Sequence, residues 1–493
     1  MNPKSGPGQN LPRYDIVARA FEEMVEAGFT PTFEQAVQEQ IAQLDQVKVS
    51  SPKDLRNYLW SSIDNKESRD LDQIEYAEQL PDGTIRLTIG IADVATFVPK
   101  ASAIDVHAGN NSTSVYTGVA TFPMLPEALS YHLTSLLPGQ DRLAMCIELT
   151  VDNEGQVIGS KAYQALVRNH AKLDYRSVGK WLDAGVEPPE KIAAVKDLTA
   201  QILLQDQARQ RIQALREKMG SLSLHTQEAT TVAKNGEVLD LELVETNPAR
   251  DLIENCMIAA NIATSKFLQS KGVPSLRRMV KTPERWSKIV DVAATYGYSL
   301  PVEPDAPALS KFLIQQRASD AANFAELSLT VVKLLGRGQY AVKIPGVVES
   351  GHFALAINDY THSTAPNRRY PDLVTQRLLQ AVLNGAPAPY TVEELNAIAE
   401  KCNRIESQAK KVERKMRKIA AAVLMANRLG DIFNGIVTGV KAGSVYVRTF
   451  RPPVEGRVVA GHNLKDLDVG DKIKVRLQST DPESAHIDFI LAN

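Results

Sequence analysis

The sequence predicts a multidomain α+β protein in which a small helical module comes first, a large mixed domain follows and a small β-barrel ends the chain. Three observations support this class: a length of 493 residues, apolar residues at helical spacing near the start, and short glycine-bounded β-runs near the end. At about 100–200 residues per domain, this length suggests about three domains. We place them at residues 1–50, 51–428 and 429–493.

The first module is predicted to contain two helices, and its shape could be that of a helix-turn-helix. Residues 1–12 are polar and turn-rich, so we expect a flexible tail there. Thr32 is expected to cap the second helix, which continues to Leu44. The module carries four basic and seven acidic residues, which argues against a strong nucleic-acid footprint of its own. The apolar positions of the first helix are Ile16, Val17, Ala20, Phe21, Met24 and Val25.

The large domain shows both strand and helix patterns. Apolar and polar residues alternate from Ile85 to Ile91, and the turn Pro81-Asp82-Gly83 separates them from a second strand candidate, Ile74 to Gln79. These features predict a β-hairpin. Helical patterns dominate residues 174–218, 249–269 and 391–428.

The last segment predicts a small closed barrel. From Asp431 onward, about five short β-runs separated by glycine fall within roughly 60 residues. Phe433 and Tyr446 could stack on bases there, and packing in the barrel core is an equally good interpretation for each.

The composition excludes several classes of protein. With 44% hydrophobic and 23% charged residues and a net charge of −2, the chain is typical of a globular protein. No run approaches the ~18 apolar residues of a membrane span, and the start lacks the apolar stretch of a signal peptide. The three cysteines form no CxxC pair, which argues against a disulfide framework or a zinc ribbon. We therefore expect a cytoplasmic protein that does not bind membranes.

The strongest local signal is an acidic cluster between Ile63 and Gln73 that contains Asp64, Asp70 and Asp72. Like charges this close repel unless a cation or an arginine lies among them. Carboxylate oxygens suit Mg²⁺, which typically keeps waters and substrate phosphates as further ligands. A solvated acidic loop is the alternative, and composition alone leaves both open.

A second signal is the run Arg368-Arg369-Tyr370-Pro371-Asp372. Adjacent guanidinium groups can grip phosphate oxygens, and a neighbouring tyrosine can stack or hydrogen-bond. The alternative is an arginine pair neutralised by Asp372 and other acids.

A third signal is the helical stretch from Arg404 to Arg428, which carries eight basic and two acidic residues. It could be a track for phosphates or simply a solvated helix face. A metal site together with basic surfaces suits phosphodiester cleavage, and it would also suit a nucleotide-binding enzyme. The sequence contains no GxxxxGK[ST] motif and no well-placed GxGxxG motif, which weakens the nucleotide alternative.

Taken together, these residues resemble the ribonuclease II / ribonuclease R (RNB) family of exoribonucleases from about Asp54 to the C-terminus. Several ordered motifs at family-like spacing make a coincidence improbable. They are Asp54-Leu55-Arg56, the acidic cluster, Ile91-Ala92-Asp93-Val94, Thr113-Ser114-Val115-Tyr116, Phe122-Pro123-Met124-Leu125-Pro126, Asn169-His170-Ala171-Lys172-Leu173, Met257-Ile258-Ala259-Ala260-Asn261 and the arginine run.

The resemblance implies an RNB-type catalytic domain followed by an OB-fold RNA-binding barrel. It also implies a Mg²⁺-dependent enzyme that hydrolyses single-stranded RNA processively from the 3′ end to nucleoside 5′-monophosphates. We expect a monomer.

The resemblance further implies roles for individual residues. Asp64, Asp70 and Asp72 look like the metal-site carboxylates, and Arg368 looks like the arginine that grips the phosphate near the scissile bond. The RNA-binding residues are similar to those of the family and have separate roles. Tyr116 would stack on the 3′-terminal base. Tyr175 and Glu254 would bind the terminal ribose and its 2′-hydroxyl. The remaining RNA-binding residues are Arg369 and Tyr370 beside Arg368, and Glu413 near the active site. Judged from the residues alone, both Tyr116 and Tyr175 would be packing residues and Glu254 a solvated helix residue.

Three features depart from the family pattern. Gln73 stands where a fourth aspartate usually follows the third, and an amide brings no charge to a metal. Leu224 stands in place of a second stacking aromatic expected near residues 220–228, which should weaken the binding of the last bases. Bacterial relatives usually begin with cold-shock-type barrels, whereas residues 1–50 look helical. The rival hypothesis is therefore a catalytically weak or inactive RNA-binding protein on the same scaffold, silenced by Gln73.

Overall fold

A computed structural model describes residues 14–44, 52–222, 224, 229–243, 246–320, 324–347, 353–357, 359–441, 444–460, 464 and 467–492. The predicted tail and the predicted boundary between residues 50 and 51 lie outside these ranges. Within the described part of the chain, no helix has the length and apolar character needed to cross a membrane.

The N-terminal module contains two helices, α1 (Ile16–Glu26) and α2 (Gln35–Ile41), which confirms the helices predicted from apolar spacing. The Asp15 carboxylate caps α1 by accepting a hydrogen bond from the Ala18 N–H at 2.9 Å. The prediction that Thr32 caps the second helix is wrong, because Glu34 occupies the capping position of α2. Thr32 lies two residues upstream, too early to reach the N–H groups of the first turn.

The large domain alternates strands and helices. In chain order its elements are β1 (Lys53–Asp54), β2 (Trp60–Asp64), β3 (Gln73–Gln79), β4 (Ile85–Ala92), α3 (Ala103–Asn111), β5 (Val115–Tyr116), β6 (Thr121–Phe122), β7 (Asp141–Val151), β8 (Val157–Asp174), α4 (Tyr175–Ala184), α5 (Glu190–Ala193), α6 (Leu198–Lys218), β9 (Ala229–Lys234), β10 (Glu237–Leu243), α7 (Pro248–Ser270), β11 (Ser275–Met279), α8 (Trp286–Thr295), α9 (Ala306–Ser319), α10 (Phe324–Leu335), β12 (Gln339–Lys343), α11 (Tyr370–Leu383) and α12 (Val392–Met425).

Six of these strands form a sheet in the order β1-β8-β2-β3-β4-β7, and β5 with β6, β9 with β10 and β11 with β12 form separate two-stranded sheets. β3 and β4 are antiparallel with Ile74 opposite Gly90, which confirms the predicted hairpin. The long strand β8 pairs antiparallel with β7 over its first part and parallel with β2 over its last part, so the sheet curls. The carboxyl ends of β2 and β8 consequently lie side by side, with Asp64 opposite Asp174.

The predicted helical stretch over residues 174–218 divides into α4, α5 and α6. Gly185 follows α4 with φ of +60°, a conformation that favours glycine, and the prolines at 188 and 189 prevent the helix from continuing. Two large apolar cores lie beside the sheet. One contains residues of α4, α6 and α7, and the other contains residues of α3, α11 and the first half of α12.

The C-terminal strands are β13 (Ile432–Lys441), β14 (Ser444–Thr449), β15 (Glu455–Ala460), β16 (Lys472–Asp481) and β17 (His486–Leu491). They form the predicted closed barrel, in the order β13-β14-β15-β17-β16. Phe433 packs edge-on against Phe489 in the barrel core, with ring centroids 6.2 Å apart, so the core interpretation holds for it. The Tyr446 side chain is 43% exposed, and base stacking there stays a prediction.

Helix α12 connects the parts of the molecule. Its 34 residues span about 50 Å at 1.5 Å per residue. Its middle shares a core with α1 and with Val115 of β5, and its last turns pack into the base of the barrel. Helix α12 therefore contacts the N-terminal module, the β5–β6 hairpin and the barrel.

Candidate active site

The acidic cluster forms a loop that is held by its backbone. Asp64 ends β2, and Asp70 and Asp72 precede β3. The Ser135 hydroxyl donates to the Arg69 carbonyl at 2.7 Å and accepts from the Leu71 N–H at 3.0 Å. The Lys172 ammonium donates to two carbonyls of the same loop. The carboxylates are thus positioned by specific hydrogen bonds rather than by a freely solvated loop.

Asp72 and Arg368 form the central ion pair of the site. The Arg368 Nε donates to Asp72 Oδ2 at 2.7 Å, while Asp72 Oδ1, although buried, has no hydrogen-bond partner among the described residues. Only 4% of the Asp72 side chain is exposed, and burial raises its pKa to about 7; Arg368 opposes this rise and Asp70 adds to it. The backbone of Arg368 is fixed because its carbonyl accepts from the Ser114 N–H at 3.0 Å.

Tyr116 joins this pair to the rest of the cluster. Its hydroxyl donates to Asp70 Oδ2 at 2.7 Å, and its backbone N–H donates to Glu413 Oε1 on α12 at 3.1 Å. Burial raises the pKa of the Tyr116 phenol well above its usual value, although 41% of the residue is open to solvent. A side chain that is accessible and yet surrounded by protein lies on the wall of a cleft. The structure thus brings Asp70, Asp72, Tyr116, Arg368 and Glu413 together.

Tyr175 and Glu254 lie on α4 and α7. The Arg250 guanidinium lies over the Tyr175 ring, 4.3 Å from its centroid, and Arg250 and Glu254 are one turn apart on the same face of α7. Burial raises the pKa of the Tyr175 phenol, and the negative charges of Asp64 and Glu75 raise it further. Burial also raises the pKa of Glu254, against the opposing effect of Arg216. Glu254 is nevertheless exposed on the surface of α7, whereas Tyr175 is half-buried and electrostatically coupled to the acidic loop.

Arg369 and Tyr370 face the protein interior. Arg369 Nη2 pairs with the buried carboxylate of Asp372 at 2.6 Å, as in the ion-pair alternative. The Tyr370 hydroxyl donates to Asp105 Oδ1 at 3.0 Å, and only 7% of this tyrosine is exposed. Direct RNA contacts by these two side chains stay predictions, since either would have to give up a protein contact to reach RNA.

The basic stretch of α12 is partly neutralised within the protein. Lys410 pairs with Glu406 at 2.8 Å, and Lys415 pairs with Glu23 of α1 at 2.5 Å. Other basic residues of this helix, Arg404, Lys411, Arg414 and Lys418, are exposed. Only this exposed subset remains a candidate track for phosphates.

Leu224, predicted to replace a stacking aromatic, packs against the apolar cluster formed by α8, α9 and α10. Residues 223 and 225–228, where the rest of that prediction falls, lie outside the described ranges.

Sequence reasoning missed one carboxylate, Glu75 of β3. It is fully buried opposite Ser61 of β2, and neither of its carboxylate oxygens has a hydrogen-bond partner within the described ranges. Burial raises its pKa well above the usual value, and the charge of Asp64 adds to this rise. The signal available in the sequence was an acid at an inward position of a period-2 strand.

The carboxylates suit a divalent cation of the Mg²⁺ type. The described residues contain no ready-made cluster of three His, Cys, Asp or Glu side chains that could hold a metal. Mg²⁺, however, is usually held by one or two carboxylates with substrate phosphates and waters. Buried Asp72 Oδ1 has no partner within the described ranges, and burial raises the pKa of Asp64 as it does that of Asp72. Both observations describe acids that a cation would stabilise in the charged form.

This fold and this site define a class of protein: a mixed α+β domain with a carboxylate–arginine centre, followed by an OB-type barrel. The family model of the RNB domain matches residues 52–385, and that of the RNase II-type exonuclease C-terminal S1 domain matches residues 431–492. The chain therefore belongs to the RNB family. The family and the fold class predicted from the residues are confirmed; the predicted domain boundaries stay predictions.

Individual relatives are similar over most of this chain. Ribonuclease R of Escherichia coli strain K12 is 29% identical over 500 residues, which cover 93% of this chain and 60% of the relative. RNase R of Mycoplasma genitalium, solved in complex with ribose-methylated single-stranded RNA, superposes with a TM-score of 0.85 at 23% identity and covers 97% of this chain and 78% of that chain. Yeast Ssd1, described as a pseudonuclease, has a TM-score of 0.67 at 19% identity and covers 90% and 55%.

The two structural likenesses show the fold alone. The chain spans about three fifths of the length of the curated ribonuclease R relatives that it matches.

Proposed function

We propose that the protein is an exoribonuclease that hydrolyses single-stranded RNA processively from the 3′ end and releases nucleoside 5′-monophosphates. The observation that carries this proposal is the Asp72–Arg368 pair, in which a buried carboxylate has one oxygen without a partner among the described residues, beside an arginine whose side chain is 42% exposed. A carboxylate that can take a cation and an arginine that can take a phosphate are the two parts that phosphodiester hydrolysis needs.

In this proposal each group of residues has its own role. Arg368 has N–H groups beyond the one that Asp72 occupies, and these would bind the scissile phosphate. Tyr116 would stack on the terminal base, and Tyr175 and Glu254 would read the terminal ribose. Asp64, Asp70 and Asp72 would hold Mg²⁺, which when bound activates water and stabilises the leaving oxygen.

A second candidate function is RNA binding without cleavage. Gln73 favours it, because an uncharged amide stands where the family pattern has a carboxylate, and the scaffold also occurs in a pseudonuclease. We favour the enzyme because the three carboxylates and the arginine are all present. Cytoplasmic location and a monomeric state belong to the same proposal.

An RNA oligonucleotide labelled at its 5′ end separates the two functions. The protein is incubated with it and Mg²⁺, with an EDTA control and with a DNA oligonucleotide of the same sequence. A ladder that shortens from the 3′ end only with Mg²⁺, together with released 5′-monophosphates, supports the exoribonuclease. Intact RNA that shifts in a native gel supports the binding protein.

A further inference from the structure

Helix α1 packs directly against the hairpin that carries Tyr116. We call this hairpin, β5 and β6 with their turn, the tyrosine arm (Val115–Phe122). The arm's fully buried Val115 shares an apolar cluster with α1 and α12. The Phe21 ring of α1 lies 6.4 Å, between centroids, from the Phe122 ring of the arm. The N-terminal module is thus in contact with the arm rather than separate from it.

A buried charge fixes α1 to the helix that holds the arm. The Glu23 side chain of α1 is 5% exposed, accepts a hydrogen bond from Arg19 and forms an ion pair with Lys415 of α12 at 2.5 Å. Lys415 lies two residues after Glu413, whose carboxylate accepts from the Tyr116 N–H. The Glu23 carboxylate is the buried partner of the pair with Lys415, since 42% of the Lys415 side chain is exposed, and a buried carboxylate is costly to leave without its cations. The position of α1 is therefore coupled to the position of the Tyr116 backbone.

The turn of the arm is also closely packed. Gly118, in the turn of the arm, has φ of +83°, and a Cβ placed there would lie 2.8 Å from the Thr231 Cβ on β9. Only glycine allows this approach without a shift of one of the two segments. The arm is therefore in contact with α1, α12 and β9.

We propose that α1 is a positioning element of the reaction site, and that Phe21 and Glu23 hold the tyrosine arm so that Tyr116 meets Asp70 and the terminal base. This inference rests on the proposed function. When the arm loosens, the terminal base loses its stacking partner and the scissile linkage is less well placed relative to the carboxylates. The helix that supports the arm thus belongs to the N-terminal module, although the reaction site belongs to the large domain.

The test uses the full chain with Phe21→Ala and Glu23→Gln. The matched controls are Val25→Ala, also exposed on α1, and Glu22→Gln, which pairs with Arg19 on the solvent side. Binding is measured in EDTA with an RNA that carries 2-aminopurine at its 3′ end, whose fluorescence falls on stacking. We expect the two test variants to bind the 3′ end about tenfold more weakly, the loss of one base–aromatic stack, and the controls to bind like the parent.

A double-mutant cycle shows whether α1 acts through Tyr116. In a Tyr116→Ala background, Phe21→Ala and Glu23→Gln should add little further loss, because the contact that they support is already gone. Full additivity, or test variants that bind like the controls, would overturn the inference. If Phe21→Ala lowers the melting temperature, binding of the 3′ end is compared with Phe21→Leu instead, which removes the aromatic ring and keeps an apolar side chain.

The two proposals fail differently. If the parent protein shortens RNA but the α1 variants bind the 3′ end as tightly as the controls, only the positioning role of α1 is wrong. If the parent never shortens RNA, the exoribonuclease is wrong, while the fluorescence in EDTA still reports on the arm.

Discussion

At the scale of single residues, Asp72 carries the largest predicted effect. It is the most buried of the three aspartates, and one of its oxygens has no hydrogen-bond partner in the part of the chain that the structure describes. Asp72→Asn should reduce cleavage by about a hundredfold to a thousandfold or more, since several kcal/mol of transition-state stabilisation depend on the charge. RNA binding should remain largely intact, because an amide oxygen can still accept from Arg368.

Single-turnover cleavage of labelled RNA measures the first effect, and binding in EDTA measures the second. A variant that degraded RNA at the normal rate would refute the role of Asp72.

Gln73 tests whether the fourth position of the cluster is a metal ligand in this protein. Gln73→Asp adds a carboxylate next to Asp72, so the Mg²⁺ concentration for half-maximal rate should fall. The measurement is the initial rate of RNA cleavage across a Mg²⁺ titration. An unchanged or higher requirement would show that the position is not a ligand.

Glu75 makes a prediction about stability rather than activity. Its pKa is raised well above 4.5 in the folded protein, so the fold favours the protonated acid. Its contribution to stability is present below pH 4.5 and is lost as pH rises toward the folded pKa, by about 1.4 kcal/mol per pH unit. Glu75→Gln should abolish this decline.

Urea unfolding of parent and Glu75→Gln protein in EDTA, from pH 4.5 upward, measures the difference. If the two unfolding free energies stay parallel across this range, the raised pKa is wrong.

At the scale of elements, the first turn of α4 and one face of α7 form the predicted ribose pocket. Tyr175→Phe keeps the ring under Arg250 and removes only the hydroxyl. If that hydroxyl reads the terminal 2′-hydroxyl, the preference for RNA over an oligonucleotide with a 3′-terminal deoxynucleotide should fall about tenfold, the value of one hydrogen bond.

The measurement is kcat/KM on the two oligonucleotides. Tyr163→Phe is the matched control, because it removes a hydroxyl that donates to Glu148 on the sheet. An unchanged preference in Tyr175→Phe would remove Tyr175 from the pocket.

Several elements were predictable from local pattern. The β3–β4 hairpin, helices α1, α7 and α12 and the barrel strands all followed from apolar periodicity and turn residues, which act between near neighbours. The cap at Thr32 failed because the helix start depends on where α2 docks, not only on the presence of a capping residue. The resemblance implied that Arg369 and Tyr370 bind RNA beside Arg368, yet their side chains pair with Asp372 and Asp105 in the protein.

At the scale of the whole molecule, α12 places the barrel and the large domain on one helix, so both can act on one RNA strand. Tyr446→Ala removes an exposed barrel aromatic and should weaken binding of RNA long enough to reach the barrel. The loss of one stacked base should raise Kd roughly fivefold or more. Cleavage of oligonucleotides of only a few nucleotides should be unchanged, because they occupy the active site alone.

Affinity is measured against RNA length at fixed salt, with the exposed barrel residue Val459→Ala as the control. An equal loss of affinity for short and long RNA would show that Tyr446 does not act by binding RNA at the barrel surface.

The sequence by itself determined the order of the three parts, most of the helices and strands, the family, and the aspartates and arginine to which we assign the chemistry. It could do so because periodicity, turns and motif spacing are properties of adjacent residues. Tertiary structure alone decided that Asp72 meets Arg368 across 296 positions, that Glu75 is buried with no hydrogen-bond partner among the described residues, and that α1 packs against the tyrosine arm. These are contacts between distant segments, and which surfaces meet depends on the packing of the complete chain.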